Sequence, residues 1–355
     1  MFSVRDRLFF GNISAAAEVL QSGSAEITHV LSLLSSASIS FFSDWRAEVL
    51  ISTQEVRKVF AGEAGHGLAK NSLSPEKLLY VLELAGPGLK LVRMAVPLRD
   101  TEDENLLDYL DVCLDFIDRG RKEGAVLVHC FAGVSRSAAI ITAYLMRSEQ
   151  RSQEDALESL RQSCEFVCPN DGFLEQLKLF EEMGFKVDTA SPLYKRFRLK
   201  VLGHSYKLGE KVDSSIFEDD PGSLSESSAS STSESAKENQ PKTVYRCKKC
   251  RRIVALHENV VSHTPGEGET CFEWHKRKSG NPFKRFDEVE CSSIFIEPLK
   301  WMTSVEEGAL EGKLLCIHCE ARLGYFNWSG IQCSCGSWIT PAFQLHKSRV
   351  DICSL

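Results

Sequence analysis

Cys130 and Arg136 stand in the stretch VHCFAGVSRSAAI, residues 128–140, with no charged side chain between them. A thiolate is a strong nucleophile, and a guanidinium presents a planar fork that binds two oxygens of a phosphate at once. Between them Phe131, Ala132, Gly133, Val134 and Ser135 offer backbone N–H groups that can converge on an anion. Gly133 permits the tight backbone path. If a helix starts at Arg136, its N-terminal field adds positive potential and favours the thiolate of Cys130. The hydroxyls of Ser135 and Ser137 are spaced to bond the sulfur or assist its departure from phosphorus, and Ser137 is the better placed for departure. His129 fits a role in ordering the loop by hydrogen bonding rather than that of a base.

A second set of reactive residues lies beyond position 246. Cys113, Cys130, Cys164 and Cys168 precede it, and the other nine of the thirteen cysteines follow. YRCKKCRR holds Cys247 and Cys250, LLCIHCEARLG holds Cys316 and Cys319, and IQCSCGSW holds Cys333 and Cys335. Close-spaced thiols without an export signal point to structural zinc rather than disulfides, here two ions. Cys316, Cys319, Cys333 and Cys335 make one tetrahedral set. Cys247 and Cys250 then need two ligands from His263, Cys271, His275 and Cys291, with His263 and Cys291 preferred. His257, His318 and His346 read as surface or packing residues. Zinc would supply much of the folding free energy of so small a domain.

The elements that must position the first set read as α/β. LFFGNISAAAEVL is a strand, a turn capped by Asn12 and an amphipathic helix. ITHVLSLLS and LKLVRMAVPL are strand candidates, the latter ending at Pro97. Residues 104–120 repeat Leu107, Leu110, Leu114 and Ile117 at helical spacing. AVLVHC, 125–130, is a nearly continuous apolar run, as expected of a strand covered on both faces. Helices are expected over 136–149, 152–163 and 171–184, the last preceded by Pro169 and Asn170. Strands joined by helices favour a central sheet flanked by helices. The stretch 52–88 is assigned to a loop and a helix.

Composition divides the chain. A first domain spans 1–190, with 191–212 as its extension. Residues 213–241 are rich in serine and acid, and bury too little to offset their ordering entropy, so they read as a disordered linker. A small zinc-binding domain occupies 242–355. The formal net charge of −7 gives no global preference for nucleic acid or anionic membrane. No apolar run is long enough to span a bilayer, and MFSVRDRLFF does not read as a signal peptide. A cytoplasmic and nuclear location is the resulting expectation. Residues 242–286 nevertheless hold eleven Lys or Arg against four Asp or Glu, with Phe272, Trp274, Phe283 and Phe286 interleaved. That composition suits an RNA contact as well as it suits a solvated face over a small core.

HCFAGVSRS after an apolar strand resembles the phosphate-binding loop of cysteine-dependent dual-specificity protein phosphatases, a likeness that extends over about 2–185. The resemblance implies phosphotyrosine and phosphoserine/threonine hydrolysis through a phosphocysteine intermediate, with no cofactor needed for catalysis. It also implies a mobile general acid. VPLRDTEDENLLDYL offers Asp100, Glu102, Asp103 and Glu104; Asp100, at a strand end, matches the family position, and the others suit the first turn of the following helix. Relatives acting on polyphosphoinositides carry lysines in this loop. Their absence favours a singly phosphorylated protein side chain over those lipids or an RNA 5′-triphosphate. FIEPLKWM and LGYFNWSGIQCSCGSWITPAFQLHKSRVD, with the cysteine pairs, resemble the C-terminal domain of the dual specificity protein phosphatase 12 family. That likeness implies targeting through the zinc domain. It also implies an alternative role in assembling the large ribosomal subunit, with a pre-ribosomal particle or RNA as partner and catalysis secondary.

Overall fold

The computed structural model describes residues 1–60, 78–207, 217–223, 243–264, 266 and 291–354. It divides into two compact units, Met1–Ser191 and Pro192–Leu355.

The first unit is built on a seven-stranded sheet. In chain order its elements are β1 (Phe2–Arg5), β2 (Leu8–Gly11), α1 (Ile13–Ser22), β3 (Ile27–Leu34), α2 (Phe41–Trp45), β4 (Thr53–Phe60) and β5 (Leu78–Ala85). There follow β6 (Leu91–Pro97), α3 (Leu107–Glu123), β7 (Ala125–His129), α4 (Arg136–Glu149), α5 (Gln153–Ser163) and α6 (Asp171–Glu182). The strand order is β1-β2-β7-β3-β6-β5-β4. β2, β7, β3 and β6 run parallel, and β1, β5 and β4 each lie antiparallel to the neighbour on their inner side. β7 is central and buried along its whole length, which is why it reads as an unbroken apolar run. α4 is buried from Arg136 to Met146 and packs against α3, α5 and α6. Asn12 caps α1 by accepting from the Ala15 N–H at 3.1 Å.

Two expectations fail here. Among its described residues, the segment 52–88 contributes strands β4 and β5 rather than an α-helix. LLYVLELA is composed of good helix formers, but pairing with β6 overrides propensity: Val81 faces Ala95, Leu82 faces Met94 and Glu83 faces Arg93. AGEAGHGLAKN, within 61–71, lies outside the described residues. Helix α3 begins at Leu107, not near 104, so Glu102, Asp103 and Glu104 belong to the preceding turn. Glu104 is instead buried and accepts from Arg99 Nε at 2.6 Å.

The second unit contains α7 (Pro192–Lys207), β8 (Thr243–Cys247), β9 (Ile253–Leu256), β10 (Ser293–Phe295), α8 (Thr303–Glu306) and β11 (Glu311–Leu315). It continues with β12 (Arg322–Asn327), β13 (Ile331–Gln332), β14 (Trp338–Ile339), β15 (Ala342–His346) and β16 (Val350–Ser354). Two antiparallel sheets, β10-β15-β12-β11 and β16-β8-β9, accompany the β13-β14 ribbon. The division corrects two boundaries. α7 lies in this unit rather than extending the first: Lys195 donates to Glu297 at 2.9 Å, and Tyr206 stacks on Trp328 with ring centroids 4.7 Å apart. Residues 217–223, read as linker, are also packed here, with Phe217 buried and Glu218 accepting from Arg198 at 2.9 Å. The remainder of the 213–241 linker lies outside the described residues.

Candidate active site and metal centres

β7 delivers Cys130 to the start of a tight loop, and α4 begins at its far end with Arg136. Three loop carbonyls are held outward. The Ile13 N–H donates to Phe131 O at 3.1 Å, the Cys168 N–H donates to Val134 O at 2.9 Å, and His129 Nδ1 lies 3.1 Å from Cys130 O. With those acceptors occupied elsewhere, the intervening N–H groups are free to face inward. Gly133 makes the path possible: its φ is 74°, and a β-carbon there would meet the Gly11 carbonyl oxygen at 3.0 Å.

The thiol of Cys130 is 1% exposed and accepts from the Gly133 N–H at 3.2 Å and the Ser137 hydroxyl at 3.1 Å. These are donors that stabilise sulfur as an anion. The two serines of the loop therefore divide: Ser137 serves the sulfur, whereas Ser135 donates to Asp100 Oδ1 at 2.7 Å. The expectation that Ser135 Oγ also bonds sulfur is corrected by this contact. Arg136 is anchored by donation to Leu98 O at 3.1 Å, and its buried Nε makes no hydrogen bond among the described residues. That donor suits a phosphate oxygen.

Asp100 leaves the end of β6 and meets this loop. Its Oδ2 lies 3.6 Å from Arg136 Nε, and its Oδ1 also accepts from Asn170 Nδ2 at 3.0 Å. Asn170 was visible in the sequence only as a helix-start residue. It caps α6 by accepting from the Phe173 N–H at 2.9 Å, and its own N–H donates to Ser135 Oγ at 3.1 Å. One residue, through its side chain and its backbone N–H, thus ties the acid loop to the phosphate loop. Gly172 allows that approach, since a β-carbon would overlap the Glu102 carbonyl at 1.9 Å.

His129 is fully buried, its Nε2 2.7 Å from Ser32 Oγ. Burial, with the Arg93 and Arg136 charges nearby, pushes its pKa down to about 3, though its bond to the Cys130 carbonyl opposes this. A neutral imidazole of this kind positions the loop and is no base. Because the unfolded chain binds a proton here below its ordinary value of about 6.5, the stabilisation is complete above that pH. It is lost progressively as pH falls from there towards 3. Urea midpoints of the full chain at pH 7.5, 6 and 5 are expected to fall in that order.

In the second unit the eight expected metal ligands form two groups of four, each with its ligand atoms within 4.8 Å of one another. The partition differs from that expected. Cys247 and Cys250 join Cys316 and Cys319, while His263 and Cys291 join Cys333 and Cys335. The reason is a repeat in the backbone. Arg251 N–H donates to Cys247 O and Glu320 N–H to Cys316 O, both at 2.8 Å; Cys247 and Cys316 N–H donate to Arg252 O and Ala321 O, both at 2.9 Å. Arg251 and Glu320 each take a positive φ, 67° and 56°. Two like knuckles face one another, with Cys247 and Cys319 sulfurs 3.7 Å apart and Cys250 and Cys316 sulfurs 3.6 Å apart. A tetrahedral zinc with bonds of about 2.3 Å spaces its sulfurs about 3.8 Å apart. At the other group, His263 Nε2 lies 3.3 Å from Cys335 Sγ and 3.4 Å from Cys291 Sγ. Both donor sets fit zinc. Cys271 and His275 lie outside the described residues.

A family model described as "Dual specificity phosphatase, catalytic domain" matches residues 70–183. Human dual specificity protein phosphatase 12 is 42% identical over 269 residues, covering 75% of this chain and 76% of the relative. The chain belongs to the dual specificity protein phosphatase 12 family. Tyrosine-protein phosphatase YVH1 of Saccharomyces cerevisiae is 36% identical over 286 residues, 72% of this chain and 76% of that one. A shorter Arabidopsis thaliana relative, named a probable inactive dual specificity protein phosphatase-like protein, is 61% identical over 114 residues, 32% of this chain and 77% of its own. As a member of this family the chain is a protein phosphatase with the α/β cysteine-phosphatase fold, and no helix among its described residues is long and apolar enough to cross a membrane.

Proposed function

We propose that the chain hydrolyses phosphotyrosine and phosphoserine/threonine in proteins through a phosphocysteine on Cys130. The observation that carries this reading is the donor set around one buried sulfur: Gly133 N–H, Ser137 Oγ and the helix start at Arg136. The Cys130 thiolate attacks phosphorus while Arg136 and the backbone N–H groups of 131–136 hold the equatorial oxygens. The P–O ester bond breaks and the leaving oxygen takes the proton of Asp100. Water then attacks the phosphocysteine, Asp100 accepts its proton, and Ser137 stabilises the departing thiolate. No metal takes part in these steps.

Asp100→Asn is the test of the acid. It is expected to lower kcat on phosphoserine peptides about 100-fold, within the range of general acid catalysis, and much less on p-nitrophenyl phosphate, whose leaving group needs no proton. Equal loss on both substrates would remove Asp100 from that role.

A further part of the proposal is that two structural zinc ions, for which the two four-ligand groups are the support, hold a targeting module, and that the protein works in cytoplasm and nucleus. Imaging of the tagged full chain tests the location. A second reading is favoured by the knuckle loops, where Lys248, Lys249, Arg251 and His318 are exposed. Exposed cations on a rigid metal-held turn suit a polyanion, so the alternative is a large-subunit assembly factor binding pre-ribosomal RNA or protein, with catalysis secondary. The aromatic part of the basic segment, Phe272, Trp274, Phe283 and Phe286, lies outside the described residues. Ribosome-subunit profiles in cells lacking the protein separate the two readings. Rescue by the Cys130→Ser chain but not by residues 1–191 favours assembly. The opposite result favours catalysis.

A further inference from the structure

The antiparallel pair β4–β5 forms one edge of the sheet, yet a buried line of contacts runs from it to His129. Thr53 on β4 donates from Oγ1 to Glu83 Oε2 on β5 at 2.9 Å. Glu83 faces Arg93 on β6 in the strand register, and their side chains form an ion pair in which Arg93 is 0% exposed. Arg93 Nε donates to Ser32 Oγ on β3 at 2.9 Å, and Ser32 Oγ meets His129 Nε2 at 2.7 Å.

The direction of each bond follows from what the groups can do. A guanidinium only donates, so Ser32 Oγ is an acceptor towards Arg93. Among the described contacts the Ser32 hydroxyl has no acceptor other than His129 Nε2. Its proton therefore points at that nitrogen, which must be bare. At the other edge of the ring, Cys130 O can only accept, so Nδ1 carries the proton. Both edges select one neutral tautomer.

We propose that Arg93, held in place by Glu83, is a positioning residue of the phosphatase: it fixes Ser32 as a donor and so locks His129 neutral, with its proton on Nδ1. In that state His129 holds the Cys130 carbonyl away from the sulfur. The other tautomer would set the Nδ1 lone pair against that carbonyl at 3.1 Å and release the loop. Protonation of Nε2 would leave the Ser32 proton buried without a partner. The groups around the ring are Ser32 from β3, Arg93 from β6, Arg136 from α4, the ring of Phe42 from α2 and Cys130 itself; Glu83 of β5 stands behind Arg93.

The inference rests on the phosphatase reading, but its first readout does not need turnover. Full-length protein labelled with 15N-histidine is expected to show His129 as the neutral Nδ1–H form from about pH 8 down to about pH 5. An Nε2–H or doubly protonated ring in that range overturns the proposal without any variant. The variant is Glu83→Gln with Arg93→Met, which removes both charges together, as a buried pair tolerates, and leaves no N–H donor where Arg93 Nε was. Ser32 Oγ is then no longer committed as an acceptor towards Arg93, and is free to accept from His129 Nε2. His129 is then expected to protonate with a midpoint above about pH 5, and the profile of kcat/KM against pH to gain an inflection of about threefold or more there. Ser32→Thr, which keeps the hydroxyl, is expected to retain the wild-type profile. An unchanged ring signal and profile in the double variant overturn the proposal. Loss of turnover in wild type would instead count against the phosphatase reading alone.

Discussion

Cys130→Ser is expected to lower kcat on an aryl phosphate by a factor on the order of 10⁴ to 10⁶, the scale of losing a covalent nucleophile. The loop is organised for an anion on sulfur. Gly133 N–H and Ser137 Oγ aim at that atom, and the N-terminus of α4 adds its field. None of these brings a serine hydroxyl to its alkoxide at neutral pH. The same donors remain in the variant, because Arg136 is fixed by Leu98 O and the loop carbonyls by Ile13, Cys168 and His129. Tungstate, a phosphate mimic, is therefore expected to bind the variant within about tenfold of wild type, measured by calorimetry. Turnover within 100-fold of wild type would remove the nucleophile assignment. Loss of tungstate binding as well would mean that the thiol also holds the loop in shape.

How much of this was legible in the sequence depends on the range of the interaction. The phosphate loop was, because strand, turn and helix start are contiguous, and Cys130, Gly133, Ser137 and Arg136 act through local geometry. Asp100 was placed through family likeness, but Asn170, which ties it to Ser135, was legible only as a cap. Its second role depends on two loops meeting in space. Ser32 and Arg93 were hidden inside strand candidates, where one polar residue among apolar neighbours carries no local sign of its partner. Glu83 was lost with the whole β4–β5 pair, since LLYVLELA has helical propensity and only the pairing with β6 makes it a strand. The metal ligands were legible as types, because thiols at knuckle spacing announce zinc. Their partition was not, because nearness in sequence favoured joining 316–319 to 333–335.

That partition yields the second large effect. Zinc bound by four protein ligands contributes about 10–16 kcal/mol of apparent binding free energy in small modules, so losing one ion is expected to unfold much of the structure it holds. With Cys247, Cys250, Cys316 and Cys319 around one ion, Cys250→Ser and Cys319→Ser damage the same site. The double variant is expected to lose one of two ions, as each single variant does, with little further fall in the melting temperature of the second unit. Cys250→Ser with Cys333→Ser strikes both sites and is expected to lose both ions, with a second, separate fall. Had the ligands followed sequence order, Cys250 and Cys319 would lie at different sites and the first double variant would lose two ions. Elemental analysis of the purified full-length variants decides between the patterns, and a chelator titration of wild type adds the order of release. The first group packs two like knuckles whose sulfurs lie 3.6–3.7 Å apart; the second relies on one histidine nitrogen.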